Sequence, residues 1–162
     1  SSLIYEETFF LKTSDIIADN QRLYFSNNKK QFFSLDIQTG TLNWTQKINS
    51  SLRPTLIDNY IFTVTNKGYL VVIDKNSGNI VRITDSFKNF KNKKRDKIKP
   101  TGFIIGDNSI YLTTDHGRLI VLDVVTGEVI NIMKIDNDKI SRPSVLNKKI
   151  FIINDSSIIK LN

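Results

Sequence analysis

From residue 60 the apolar positions come in short bursts. They run YIFTVT, break at Asn66-Lys67-Gly68, resume as YLVVID, break at Lys75-Asn76-Ser77-Gly78, and end as IVRIT. Bursts of this length, rich in β-branched and aromatic residues and bounded by Asn and Gly, read as strands joined by hairpin turns. With TLIDN, which follows Arg53-Pro54, they predict a four-stranded unit. The same grammar recurs downstream as FIIGD, SIYLTT, a turn at Asp115-His116-Gly117, RLIVLD, a turn at Thr126-Gly127, and VINIMK. Upstream it reads DIIADN, RLYFSN, QFFSLD and TLNWTQK. A further unit opens at Arg142-Pro143 with SVLN, KIFIIN and SIIKL, and supplies three strands. No segment sustains a 3.6-residue period with helix caps.

Aligning the units on an Asp-x-x-(Thr/Ser)-Gly turn superposes Asp36, Asp74 and Asp123, at spacings of 38 and 49 residues. A period near forty residues points to a solenoid or propeller array, whose units bury their faces only by stacking on neighbours. The expected fold is all-β, a β-propeller of four-stranded antiparallel blades. About four blades are expected, covering residues 13–49, 53–86, 100–136 and 143–162, with a basic inter-blade loop at 87–99. They would form half of an eight-bladed ring or a small ring. An all-β sandwich accommodates the strands but leaves the internal copies unexplained. Asp36, Asp74 and Asp123 occupy identical repeat positions, so they read as turn-forming residues that bind nearby backbone N–H groups.

Composition narrows the function. Apolar residues at 40% suit a folded domain, and no apolar run is long enough to form a membrane-spanning helix. No signal peptide is visible, and the absent initiating Met suggests a processed or truncated chain. With no Cys and one His, disulfides, thiolate chemistry and multi-histidine metal sites drop out. His116, in the turn 115–117, reads as an exposed turn residue. The net charge of +7 is concentrated: Lys88, Lys91, Lys93, Lys94, Arg95, Lys97 and Lys99 against Asp96 give residues 88–99 a charge of +6, leaving +1 elsewhere. This segment reads either as a solvated, mobile loop or as a contact for an anionic membrane surface, with Lys93, Lys94 and Arg95 at its centre. Nucleic acid is not expected, because Phe87 and Phe90 are the only aromatics nearby.

The phrase LDIQTGTLNW (35–44) resembles the tryptophan-docking motif of the PQQ-like-repeat (quinoprotein-type) β-propellers, roughly Ala-x-Asp-x-x-Thr-Gly-x-x-x-Trp. VIDKNSGNIVR (72–82) and VLDVVTGEVIN (121–131) look like degenerate copies in which Arg82 and Asn131 replace Trp44. The resemblance extends from about Asp15 to Asn162. It implies that Trp44, Asp36, Gly40, Asp74, Gly78, Asp123 and Gly127 are structural docking positions, with the later blades held by aliphatic packing and the shared turn. Enzymes of the family bind PQQ with calcium and are expected to show a catalytic Asp, a Glu/Asn calcium set, a stacking Trp and often a vicinal Cys pair. Here Cys is missing and the one Trp sits in the repeat frame, so the expectation is a non-enzyme with no catalytic, cofactor-binding or metal-binding residues.

The order of features is most similar to the C-terminal half of the propeller lipoproteins of outer-membrane β-barrel assembly. That resemblance implies a non-catalytic scaffold in the periplasm, peripheral to the outer membrane, whose partner is a barrel-assembly protein. A degenerate PQQ-dependent dehydrogenase-like propeller, or one that binds carbohydrate or lipid, is the alternative. The segment LIYEETFFLKTSD (3–15) departs from the blade grammar as a lengthened inter-blade loop, and its Glu6, Glu7, Phe9, Phe10 and Asp15 are candidate partner contacts. Unpaired blade faces would also permit a homodimer that closes an eight-bladed ring. In a closed four-bladed ring, residues near Leu3–Phe10 would instead complete the last blade.

Overall fold

The computed structural model describes residues 13–161 apart from Asn28, Lys148 and Ser156. Four antiparallel sheets follow one another along the chain. The first holds β1 (Ile17–Ala18), β2 (Arg22–Ser26), β3 (Phe32–Asp36) and β4 (Leu42–Gln46). The second holds β5 (Thr55–Ile57), β6 (Tyr60–Val64), β7 (Tyr69–Asp74) and β8 (Ile80–Asp85). The third holds β9 (Pro100–Gly106), β10 (Ser109–Thr114), β11 (Arg118–Asp123) and β12 (Val129–Lys134), and the fourth β13 (Ser144–Leu146), β14 (Lys149–Ile153) and β15 (Ile158–Leu161). Strand order in each sheet is sequential, so each is a simple meander. This is a β-propeller of about four blades, and among the described residues the row of sheets does not close into a ring.

Stacking decides which strand faces are buried. One hydrophobic cluster joins the first two sheets through Tyr24, Phe32, Ile61, Val71 and Ile73. A larger one joins the second and third through Phe62, Leu70, Val72, Phe103, Leu112 and Ile120. A small one joins the third and fourth through Leu119, Ile140 and Ile152. In β7 the odd and even residues therefore serve different neighbours, and Leu70, Val71, Val72 and Ile73 are all buried. That double burial is why inner-blade strands read as continuous apolar runs rather than alternating ones.

A register shift recurs at the same place in three sheets, between Ser34 and Leu35, Val72 and Ile73, and Val121 and Leu122. Each bulge precedes the aspartate turn. Asp36 Oδ1 accepts hydrogen bonds from the Thr39 backbone N–H (2.8 Å), the Thr39 hydroxyl (2.9 Å) and the Gln38 N–H (3.0 Å). Asp74 does the same with Ser77 and Asn76, and Asp123 takes the N–H groups of Thr126 and Val125. Gly40, Gly78 and Gly127 close the turns at φ of +70°, +74° and +76°.

These bonds hold each carboxyl below its ordinary value, the Thr39, Ser77 and Thr126 N–H groups being the main cause. A depressed folded-state pKa contributes stability that is present above the unfolded value, about 3.9, and is lost as pH falls through the folded value. Acid titration followed by circular dichroism should therefore show unfolding that steepens below about pH 4. Asp74→Asn, which keeps the turn acceptor without a titrating charge, should flatten that acid limb; an unchanged limb would contradict the turn account.

Candidate interaction surfaces and the seams between blades

Trp44 stands on β4 and lies across the turn of the next sheet. Its indole N–H donates to the Lys75 carbonyl at 3.0 Å. A Cβ built on Gly78 would fall 2.5 Å from the ring, so the indole rests directly on the glycine. Phe32 lies nearly parallel to the indole, with centroids 6.1 Å apart and planes 12° apart, and Gln46 donates to the Gly78 carbonyl at 2.7 Å. The indole is half-buried rather than enclosed.

The second seam adds a guanidinium to the expected aliphatic packing and shared turn. Arg82, at Trp44's repeat position, lays its guanidinium on the third sheet's turn. It donates to the Val124 carbonyl at 2.8 Å and also to the Val125 carbonyl. Val124 follows Asp123 as Lys75 follows Asp74, so indole and guanidinium donate to the same acceptor in successive seams. Both are planar groups with N–H donors at one edge. A Cβ on Gly127 would fall 2.4 Å from Thr84 Oγ1 and 3.0 Å from Arg82 Nε. Asn131, the third equivalent, is exposed, and its Oδ1 accepts from the Ile132 N–H. Gly40, on the first sheet's turn, has nothing within 4 Å of a built Cβ. Among the described residues, the row of blades thus has an open turn at one end. At the other, Val145, Leu146 and Ile158 are more than half exposed beside a cleft of about 570 Å³ lined by Tyr111, Leu119, Met133, Ile150 and Leu161.

The basic segment is folded onto the body. Phe87 is fully buried against Gly68, and Ile98 is buried in the second seam. Between them lies α1, a single turn at Asn92–Arg95 that periodicity did not reveal. Arg95 turns inward: it pairs with Asp85, donates to the Tyr69 hydroxyl at 2.9 Å and lies 5.3 Å from that ring's centroid. Of the three residues placed at the centre of the segment, Lys93 and Lys94 are exposed, while Arg95 anchors. Lys94 also covers the Phe90 ring at 5.9 Å.

Asp15 is exposed beside Ser14, whose backbone N–H donates to the Ser26 carbonyl at 2.9 Å. Glu6, Glu7, Phe9 and Phe10 lie outside the described residues. Nothing brings Asp15 together with Lys93, Lys94 or Arg95. Among the described residues no three His, Asp or Glu side chains converge as a metal-binding group. His116 hydrogen-bonds to Asp115 (2.8 Å), whose Oδ1 also accepts from the Lys99 N–H.

Residues 8–84 match the family described as outer membrane protein assembly factor BamB. BamB from Moraxella catarrhalis aligns over 91% of this chain and 41% of its own length, at 14% identity and a TM-score of 0.73. The chain therefore spans about two-fifths of that protein. The computationally designed Ika4 protein aligns over 91% of both chains at 13% identity and a TM-score of 0.69. A europium-containing methanol dehydrogenase aligns over 75% of this chain and 25% of its own, at 14% identity and a TM-score of 0.59. No curated protein sequence matches the chain. The likeness establishes the fold: a PQQ-like β-propeller that resembles BamB.

Proposed function

We propose that this chain is a non-catalytic scaffold that binds a protein component of outer-membrane β-barrel assembly on the periplasmic side of that membrane. The observation that carries this reading is the match of residues 8–84 to the BamB family, which spans the first two blades and the seam between them. Two features of the chain support it. Trp44 and Arg82 are taken up in holding blade to blade and Asp36, Asp74 and Asp123 in holding their turns, so these repeat positions serve structure. Among the described residues the fourth sheet keeps Val145, Leu146 and Ile158 more than half exposed, which suits a surface that binds protein. A second copy of the chain is another occupant for this surface.

The test is capture of the purified periplasmic domain of the barrel-inserting partner on immobilised full chain. Saturable binding is expected, weakened at least fivefold by replacing Val145 and Leu146 with Ser. Absent binding would overturn the reading. Light scattering on the same sample separates self-pairing from partner binding, since a dimer has twice the monomer mass. Incubation with PQQ and calcium addresses the dehydrogenase-like alternative: the proposal expects no change in the absorbance of PQQ, and a stoichiometric shift would replace it.

A further inference from the structure

In a meander, alternate turns lie at opposite ends of the sheet. The aspartate turns and the turns that follow each first strand share one end: the Ile37 N–H bonds the Gln21 carbonyl at 2.9 Å, and Arg22 reaches the Lys75 carbonyl at 2.9 Å. The other hairpins and all connectors between blades share the opposite end: the Asn66 N–H bonds Asn49, Ser86 bonds Gly68, and Asp115 bonds Lys99. Acidic side chains divide between the two ends, with Asp15, Asp85, Asp96, Asp115, Asp136, Asp138 and Asp155 at the second, whereas the lysine segment lies wholly at the second. Asp19, Asp36, Asp58, Asp74, Asp107 and Asp123 all fall at the first end. Lys88, Lys91, Lys93, Lys94, Lys97 and Lys99 all fall at the second, and all six are exposed. Asp85 is consumed by Arg95, and Asp115 by a backbone N–H and His116, which leaves Asp96 as the one acidic side chain within the lysine segment. A body with positive charge concentrated at one end orients in a field before it makes contact.

We propose that the connector end is a platform for the headgroups of an anionic phospholipid bilayer, with the aspartate end turned away. Anchoring by Phe87, Ile98 and Arg95 holds the lysines on a folded support. Lysine ammoniums act as point charges on phosphate without needing a fixed geometry. The alternative polyanion, single-stranded nucleic acid, is recognised by aromatic side chains on which bases stack. Here Phe87 is buried, Phe90 is packed edge-on against it (5.9 Å) beneath Lys94, and Arg95 is already paired. The inference rests on charge and topology and goes beyond the assembly role, so failure of partner capture leaves it standing.

The test is flotation of the full chain with phosphatidylglycerol–phosphatidylcholine vesicles, with phosphatidylcholine vesicles alone, and binding to a thirty-nucleotide oligo-dT. At 50 mM salt the chain should float with the anionic vesicles and not with the neutral ones, and release at 500 mM salt. Replacing Lys91, Lys93, Lys97 and Lys99 with Ser, which spares Arg95 and the Lys94–Phe90 contact, should weaken vesicle binding on the order of a hundredfold. Its melting temperature should stay unchanged. Asp58→Asn with Asp107→Asn, at the far end of strands about 20 Å long, should alter binding less than twofold. Failure of the wild-type chain to float, full binding by the lysine variant, or tighter binding to oligo-dT than to the anionic vesicles would each overturn the proposal.

Discussion

Trp44→Ala is expected to lower the unfolding free energy by about 2–3 kcal/mol and the melting temperature by roughly 5–10 °C. Full truncation of a buried aromatic costs about 3–5 kcal/mol, and the half-buried state of this indole places it below that range. Three contacts are lost together: the face on Gly78, the stack on Phe32 and the N–H bond to the Lys75 carbonyl. The same truncation at the other two repeat positions should fall away in order. Arg82→Ala should cost about 1–2 kcal/mol, because its two carbonyl bonds lie at a water-accessible seam. Asn131→Ala should sit within about 0.5 kcal/mol of the parent, since the residue is exposed and bonds only a neighbouring N–H. Chemical denaturation of the three variants checks the gradient. Arg82→Trp should hold stability close to the parent, because Trp44 shows that an indole fits this acceptor. A loss from Asn131→Ala equal to that from Trp44→Ala would show that the repeat position matters for some reason other than docking.

The fold was legible because the repeat multiplies weak signals. A single Asp-x-x-Thr-Gly is an ordinary turn, whereas Asp36, Asp74 and Asp123 in one frame fix three turns and the strands around them. The unbroken apolar runs of β7 and β11 report double burial, and so stacking on both sides. What the sequence hid was chemistry that depends on approach. Arg82 stands eight residues after Asp74, as Trp44 does after Asp36, and both are planar N–H donors. That shared geometry was available as a signal, but hydropathy ranks the two residues as opposites. The charge run at 88–99 looked uniform because neither Asp85 nor Tyr69 lies within it, and these are the groups that set Arg95 apart from its neighbours. The turn of α1 is too short for periodicity, and Lys91 before it makes no side-chain cap. The partner-contact candidates were the least legible, since exposed charge and aromatic content describe a surface without saying what meets it.

Gly78→Ala should cost about 1–3 kcal/mol more than Gly40→Ala, although the two glycines have nearly the same φ. Both substitutions force a side chain into the left-handed region, a penalty of about 1–2 kcal/mol. At Gly40 that is the whole cost, because a Cβ there meets nothing within 4 Å. At Gly78 the added carbon falls 2.5 Å from Trp44 Cδ2, so the indole must leave its seat or the sheets must part. Gly40 thus serves as an internal reference that subtracts backbone strain and leaves the seam. Gly117→Ala marks the upper end, since its Cβ would fall 2.2 Å from the Asp136 carbonyl oxygen, on backbone that has no rotamer to yield. The decisive measurement is the double variant. If the indole is what the new methyl strikes, Gly78→Ala in a Trp44→Ala background should cost no more than Gly40→Ala does alone, and the coupling should account for the excess. An excess that survives removal of Trp44 would place the strain elsewhere in the turn and leave the indole as a neighbour of Gly78 rather than the group that docks on it.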